Sequence, residues 1–143
     1  MKINTLRFGE IEIEQERVFE FALPIIGFNE IKKFVIVDLN KDNLFKWLQS
    51  TEDPALAFPI VSVFSLNVDY TVDLPDNVVE ALGITDVNNI LVMNIASIPQ
   101  DNPQGSTLNL LAPLIFNLEN YRAGQIILSG SGYDISFPMF KKV

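Results

Sequence analysis

The chain reads Phe45-Lys46-Trp47-Leu48-Gln49-Ser50 and, beyond the turn Glu52-Asp53-Pro54, Ala57-Phe58-Pro59-Ile60-Val61-Ser62-Val63-Phe64. Aromatic and β-branched residues are frequent in both runs, and Asp-Pro favours a turn, so this stretch predicts two strands joined by a short connection. Pro59 indicates an edge or a bulge in the second strand, because proline has no N–H for a sheet hydrogen bond. The centre of the chain therefore predicts a β structure.

Strand patterns of the same kind occur on both sides of this pair. Ile and Glu alternate over residues 10–14, and Gly9 stands just before them, which predicts a β-hairpin over residues 2–14. Further strands are predicted at Val18–Phe21, Phe34–Val37, Asp69–Asp73, Ile90–Ser97, Thr107–Leu111, Leu114–Leu118 and Gln125–Leu128. The polar or Pro/Gly-containing stretches between them predict loops at 22–31 and 100–106, turns at 40–43, 88–89 and 119–124, and an irregular tail after Gly130.

One segment has a helical pattern. Pro75 suits a first helical turn, Asp76 complements the positive end of the helix, and Gly83 ends it. Two turns are marginal alone, so the apolar side of this helix is expected to pack on the sheet. Nine or ten short strands with one short helix predict a mainly β fold, a small antiparallel β-barrel-like or sandwich domain. Its 143 residues, without a repeat or a linker, predict one domain over 1–143.

The composition restricts the chemistry that this chain can perform. It has no cysteine and no histidine, which excludes disulfides, thiolate metal sites and Ser-His or Cys-His catalysis. Paired carboxylates such as Glu52-Asp53 or Asp69/Asp73 are the remaining catalytic option, but so many exposed acids meet that criterion that it has little specificity. We expect no enzymatic activity, no cofactor and no metal; a calcium site at Asp69/Asp73 or Asp86 lacks the Asp-x-Asn-x-Asp-Gly loop pattern.

Acidic residues are unevenly distributed. The net charge is −8, and the stretch from Trp47 to Tyr121 contains nine acids and no Lys or Arg. An acidic surface can serve solubility alone, or it can attract a basic partner and speed the encounter. Direct nucleic-acid binding is not expected, since phosphate contacts need clustered Lys and Arg. The N-terminal residues lack the apolar run of a signal peptide, and no stretch predicts a membrane span, so a cytoplasmic location is expected.

Several polar and aromatic residues have both a structural and a binding interpretation. Trp47 and Tyr70 are of the type that anchors interfaces, although core packing is the preferred interpretation. Asn109 and Asn117 flank a Leu-Ala-Pro run, where each could tie a turn by hydrogen bonds or contact a partner. The apolar tail Phe137–Phe140 is either docked on the fold or a docking site.

A set of short motifs occurs in an order typical of one family. These motifs are Phe8-Gly9-Glu10-Ile11-Glu12-Ile13, Trp47-Leu48-Gln49-Ser50, Leu56-Ala57-Phe58, Asp69-Tyr70, Leu82-Gly83-Ile84 and Thr107-x-Asn109-Leu110-x-Ala112-Pro113, with Asn117, Gln125 and Tyr133 after them. Together they resemble the flagellar assembly factor (FliW) family over nearly the whole chain. One loop departs from the family pattern Gly-Ile-Pro-Gly-Phe, because this chain has Pro24-Ile25-Ile26-Gly27-Phe28.

The resemblance implies a compact, β-barrel-like, non-enzymatic monomer that acts in the cytoplasm by binding other proteins. The implied partners are flagellin and carbon storage regulator A, an RNA-binding repressor of flagellin translation. The implied mechanism is partner exchange: accumulated flagellin occupies this protein and releases the regulator, and secretion of flagellin reverses the exchange. The partner-binding residues expected at the surface are Phe28, Asp69, Tyr70, Asp73, Asn109, Pro113 and Asn117.

Two other functions stay open at this point. An export chaperone for flagellin or another protein, without translational control, would present a large exposed apolar groove that could include the Phe137–Phe140 tail. A carbohydrate-binding or hydrolytic β domain would place two acids beside a solvent-exposed Trp47.

Overall fold

The structure is a computed structural model that describes residues 1–38, 45–66 and 68–140. In chain order its strands are β1 Lys2–Thr5, β2 Gly9–Glu12, β3 Phe19–Leu23, β4 Lys33–Val37, β5 Lys46–Ser50, β6 Ala57–Val61, β7 Ile90–Ser97, β8 Thr107–Leu108, β9 Leu114–Asn117, β10 Arg122–Gln125 and β11 Phe137–Pro138. Within the described residues α1, Asp76–Ala81, is the single α-helix. The predicted mainly β fold with one short helix is confirmed.

Seven of these strands close into a barrel. Strands β3, β4, β5, β6, β7, β9 and β10 are hydrogen-bonded in that order, and β10 pairs with β3 to complete the ring. Every pairing in the ring is antiparallel except the closing one, in which β10 runs parallel to β3 with a register shift between Ala123 and Gly124. Closure leaves these seven strands without an open sheet edge.

The barrel interior is filled mainly by aromatic and branched side chains. Phe19, Phe21, Phe34 and Phe116 are almost fully buried and form one cluster with Leu48, Ile60 and Leu114. The rings of Phe19 and Phe116 meet edge to face at 4.9 Å between centroids, and those of Phe21 and Phe34 do so at 5.2 Å. Edge-to-face pairs of this kind add about 0.5–1.5 kcal/mol each beyond the area they bury.

Two smaller units cover the outside of the barrel. The β1–β2 hairpin packs Ile3 and Ile13 against Val35 and Val37 of β4. Val78 of helix α1 and Leu82, the residue just after it, pack against Ile115 of β9 and Ile126. Strands β8 and β11 continue the sheet from the end of β7.

Several predicted boundaries differ from the structure. Residues 69–73 are not a strand. The strand predicted at Gln125–Leu128 lies instead at Arg122–Gln125, so that residues 122–124 of the predicted turn 119–124 belong to it. Strand β6 ends at Val61 and a 3₁₀ turn follows at Val63–Leu66, and β8 covers only Thr107–Leu108 of the predicted run 107–111. The tail is docked, because β11 pairs with β8. The turn predicted at 40–43 lies outside the described residues.

Candidate partner-binding site

Residues 68–74, which we call the acidic segment, carry three of the predicted site residues. Their burial alternates as on a strand: Val68, Tyr70, Val72 and Leu74 pack inward, whereas Asp69, Thr71 and Asp73 are exposed. Yet the segment pairs with no strand in the described part of the chain, and no backbone-to-backbone hydrogen bond of residues 68–74 is found there. Side chains therefore fix its position.

Tyr70 is the main anchor of the acidic segment. It is only 6% exposed, and its hydroxyl donates to the Leu110 carbonyl at 2.6 Å. The same oxygen accepts a hydrogen bond from the Asn94 amide at 3.1 Å. Burial raises the pKa of Tyr70, while the Asn94 hydrogen bond acts in the opposite direction. Tyr70 therefore holds the segment from inside, and its neighbours Asp69 and Thr71 face the solvent.

Tyr133 provides the second attachment. Its hydroxyl accepts a hydrogen bond from the Thr71 backbone N–H at 2.9 Å. Its ring packs edge to face on Tyr70, 4.8 Å between centroids. The next residue, Asp134, accepts the Leu110 N–H at 2.9 Å through its backbone carbonyl. Leu110 thus connects the acidic segment to the tail, with its carbonyl bonded to Tyr70 and its N–H bonded to Asp134.

The charged residues that neighbour the acidic segment in sequence are all acidic. Asp69, Asp73, Asp76 and Glu80 are all exposed, and they lie within the stretch that has no Lys or Arg. The ion pairs found among the described residues all lie within the first 17 residues. The acids of residues 69–80 therefore make no ion pair in the part of the chain described.

A groove of about 480 Å³ lies beside the acidic segment. Thr71, Asp73 and Pro75 line one side of it. Residues 127–131 line the other side, where the Ile127 side chain is 56% exposed. The groove thus combines apolar contact surface with one carboxylate.

The three predicted residues of the Leu-Ala-Pro region have structural roles. Asn109 accepts the Ala112 N–H at 3.0 Å through its side-chain oxygen. Asn117 is 1% exposed, donates to the Leu82 carbonyl at 2.9 Å and accepts the Glu119 N–H at 3.0 Å. Pro113 is buried, and its carbonyl accepts the Ile126 N–H at 3.1 Å. Asn109 is also linked to Tyr70, because Asn94 donates to both.

Phe28 lies in a different part of the surface, in the loop between β3 and β4. The side chain is half-buried and packs edge to face on Phe58, 5.3 Å between centroids. Gly27, just before it, has φ of 91°, a left-handed conformation that glycine adopts without strain. The structure thus groups Asp69, Tyr70 and Asp73 on one segment and connects Asn109 to them, but it does not bring Phe28 or Asn117 to that group.

Sequence reasoning did not assign a role to three residues that shape this site. Asn94 and Tyr133 fix the acidic segment, and Ile127 forms a wall of the groove. In the sequence, Tyr133 was identified only as part of a family motif. The feature that could have pointed to it is the pair Gly130 and Gly132, because both adopt left-handed conformations and turn the chain back toward Tyr70. Nothing in the sequence around Asn94 separates it from an ordinary strand residue.

A second, larger groove lies at the tail. Its volume is about 750 Å³, and Phe137, Pro138 and Phe140 line it together with the loop of residues 102–107. Phe137 and Met139 also pack against a second buried cluster, which contains Val61 of β6 and Leu108 of β8. The tail is thus docked on the fold and still presents apolar surface.

Trp47 is engaged within the protein. The Arg7 guanidinium lies 3.9 Å from the centre of its ring, and Phe8 packs edge to face at 6.2 Å. This ring is therefore a contact point between the β1–β2 hairpin and β5.

Comparison with known proteins places this fold and sequence in one family. Residues 2–139 match the family model described as FliW protein. The chain belongs to the FliW family. A flagellar assembly factor FliW from Clostridium novyi is 36% identical over 142 residues, 99% of this chain and 99% of that protein. The one from Bdellovibrio bacteriovorus is 38% identical over 143 residues, 100% of this chain and 81% of that protein.

A solved structure agrees with this assignment. The crystal structure of a flagellar assembly factor FliW superposes with a TM-score of 0.92 at 34% identity and covers 99% of both chains. The altered loop at Pro24–Phe28 therefore does not remove the chain from the FliW family. Among the residues described, no helix is long and apolar enough to cross a membrane, and no three acidic side chains converge as a metal-ligand set.

Proposed function

We propose that this FliW-family protein binds flagellin and carbon storage regulator A in the cytoplasm and, by exchanging one for the other, adjusts flagellin translation. In this proposal it is a non-enzymatic monomer that contacts neither nucleic acid nor membrane. When flagellin is abundant it occupies the protein, and the regulator is free to repress flagellin mRNA. When flagellin has been exported, the protein captures the regulator and translation resumes.

The observation that carries the proposal, beyond family membership, is the exposed acidic segment. A protein that holds RNA must be basic, and the acidic segment offers Asp69 and Asp73 within a surface that has no neighbouring Lys or Arg in sequence. Complementary charge speeds diffusional encounter and rejects acidic competitors. Because Tyr70 and Tyr133 fix the segment in advance, less conformational entropy is lost when a partner binds.

Exchange of two partners sets a condition on their affinities. The cellular concentrations of flagellin and regulator must straddle the two dissociation constants, and each tenfold difference in affinity corresponds to about 1.4 kcal/mol. A difference of that size can come from a few contacts.

Calorimetric titration with flagellin and with the regulator of the same organism tests the proposal. We expect binding to each partner and displacement of bound regulator when flagellin is added. Binding to flagellin alone would leave a chaperone without translational control, and binding to neither would overturn the proposal.

The tail groove favours one alternative function. A flagellin export chaperone would cover an apolar segment of its client, and the groove at Phe137, Pro138 and Phe140 offers apolar surface of that size. The titration separates the two functions, because only the exchange mechanism requires the regulator. A carbohydrate-binding function has no comparable support, since Arg7 and Phe8 already occupy positions around the Trp47 ring.

A further inference from the structure

We propose that the groove beside the acidic segment receives a lysine or arginine side chain of the basic partner, an inference that rests on the proposed function. Asp73 and Pro75 on one side and Ile127 and Leu128 on the other enclose about 480 Å³. That space accommodates one long side chain. The groove is the anchor point of the interface, and the surrounding acids guide the partner toward it.

The lining of the groove matches the two parts of such a side chain. Lysine and arginine have an aliphatic stem and a charged head, and the stem packs on apolar surface while the head stays polar. Ile127, 56% exposed, and Pro75 offer apolar surface to the stem, and the Asp73 carboxylate is available to the head. A purely apolar side chain would leave Asp73 without a partner, and an acidic one would be repelled.

In the part of the chain that the structure describes, Asp73 has no cationic partner. The two stretches that line the groove belong to regions without Lys or Arg, residues 47–121 and 123–140. A partner cation therefore meets a carboxylate that is not already neutralised.

Both walls of the groove are held in place by hydrogen bonds. On the acidic side, the Thr71 N–H is bonded to the Tyr133 hydroxyl at 2.9 Å. On the opposite side, the Ser131 N–H donates to the Leu128 carbonyl at 3.1 Å and closes a tight turn. The shape of the groove thus exists before the partner arrives, which favours binding.

Two variants test the groove by independent means. Asp73→Asn removes the charge and keeps the size, and we expect the dissociation constant for the regulator to rise roughly tenfold. Ser129→Trp, at an exposed wall position without a hydrogen bond among the described residues, fills the groove and leaves the charge unchanged; we expect a similar loss. The controls are Asp101→Asn and Gln100→Trp, exposed residues of the same acidic stretch that do not line the groove, for which we expect a change of less than about twofold.

The outcomes separate this inference from the proposed function. If the wild-type protein does not bind the regulator, both are overturned. If it binds and the two groove variants bind as tightly as their controls, only the groove is overturned. Thermal unfolding of all four variants at the wild-type temperature shows that a loss of affinity is not a loss of fold.

Discussion

Tyr70 makes the free energy of unfolding depend on pH in the alkaline range. Its pKa is raised above the ordinary value of 10.0, chiefly by burial, so the folded protein keeps this proton when the unfolded chain releases it. By linkage, the stabilisation from Tyr70 is complete below about pH 10 and is lost as pH rises through the raised pKa. Acid has no effect through this group.

We expect Tyr70→Phe to lower the free energy of unfolding by about 1–3 kcal/mol at pH 8, because the Leu110 carbonyl and one hydrogen bond of Asn94 lose their partner. The difference in free energy of unfolding between the two proteins should shrink above pH 10, because ionisation of the buried hydroxyl then destabilises the wild-type protein. Denaturant unfolding of both proteins at pH 8 and pH 11 measures this. A difference that grew with pH would contradict the assignment.

Asn117 is expected to act on stability and not on binding. Asn117→Ala leaves the Glu119 N–H and the Gly83 carbonyl without their side-chain partner and should cost about 1–3 kcal/mol. The matched control is Asn120→Ala. Its exposed side chain donates to the Leu82 carbonyl, to which Asn117 also donates, and its removal should lower the free energy of unfolding by less. A loss of partner affinity in folded Asn117→Ala would show instead that it contributes to the interface.

The closing pair of the barrel, β3 and β10, depends on a glycine. A Cβ atom at Gly124 would lie 2.7 Å from the Leu23 Cβ on the neighbouring strand, closer than real Cβ contacts allow. Gly124→Ala should therefore force the strands apart and destabilise the protein by about 1–3 kcal/mol. Gly105→Ala is the control, because its nearest neighbour is the flexible end of Asn102 and the loop is exposed. Equal effects of the two substitutions in denaturant unfolding would mean that the β3–β10 pair tolerates the extra atom.

Tyr133 should control the mobility of the acidic segment. Tyr133→Phe removes the acceptor of the Thr71 N–H and keeps the ring that packs on Tyr70. We expect faster hydrogen exchange of the Thr71 amide, with exchange in the barrel strands unchanged. Tyr121→Phe is the control, since this ring packs on Phe19, away from the segment. Unchanged exchange at Thr71 would show that Tyr70 alone holds it.

Local patterns in the sequence predicted the elements that local patterns determine. The hairpin of residues 2–14 is marked by alternating Ile and Glu, and helix α1 by Pro75 and Gly83, and both were found within a few residues of the predicted bounds. The predicted position of β10 was wrong because Arg122-Ala123-Gly124 has low strand propensity. Its pairing with β9 and with β3, which lies some 100 residues away, makes it a strand. Residues 69–73 have a period of two because Tyr70 and Val72 pack inward, although none of the strands in the described residues pairs with them. A period of two in the sequence therefore indicates which side chains are buried, and it does not indicate that a neighbouring strand pairs with the segment.

The candidate site, like the fold, could be predicted only where a local pattern in the sequence marks it. Asp69 and Asp73 were identified from charge and from motif order, and both are exposed. The groove was not predictable, because it forms where residues 71–75 meet residues 127–131, and no local pattern links segments so far apart in the chain.

Across the whole molecule, charge is divided by region. The Lys and Arg residues described lie at positions 2–46 and at Arg122, while the stretch from Trp47 to Tyr121 is acidic only. The exposed acids of this stretch have no Lys or Arg beside them in sequence, and they attract a basic partner over about 8–10 Å, the screening length near physiological salt. The association rate with the regulator should therefore fall by roughly tenfold between low and moderately high salt.

The salt dependence should come from the acidic stretch specifically. In the double variant Asp69→Asn/Glu80→Gln, we expect a lower association rate at low salt and a flatter decline with added salt, because two steering charges are gone. The matched control is Glu16→Gln/Glu30→Gln, which removes two exposed acids that lie near Arg17 and Lys32 in sequence and should leave the salt dependence close to wild type. Stopped-flow association at several salt concentrations compares the three proteins. A wild-type rate that does not change with salt would mean that the negative charge of this region serves solubility alone.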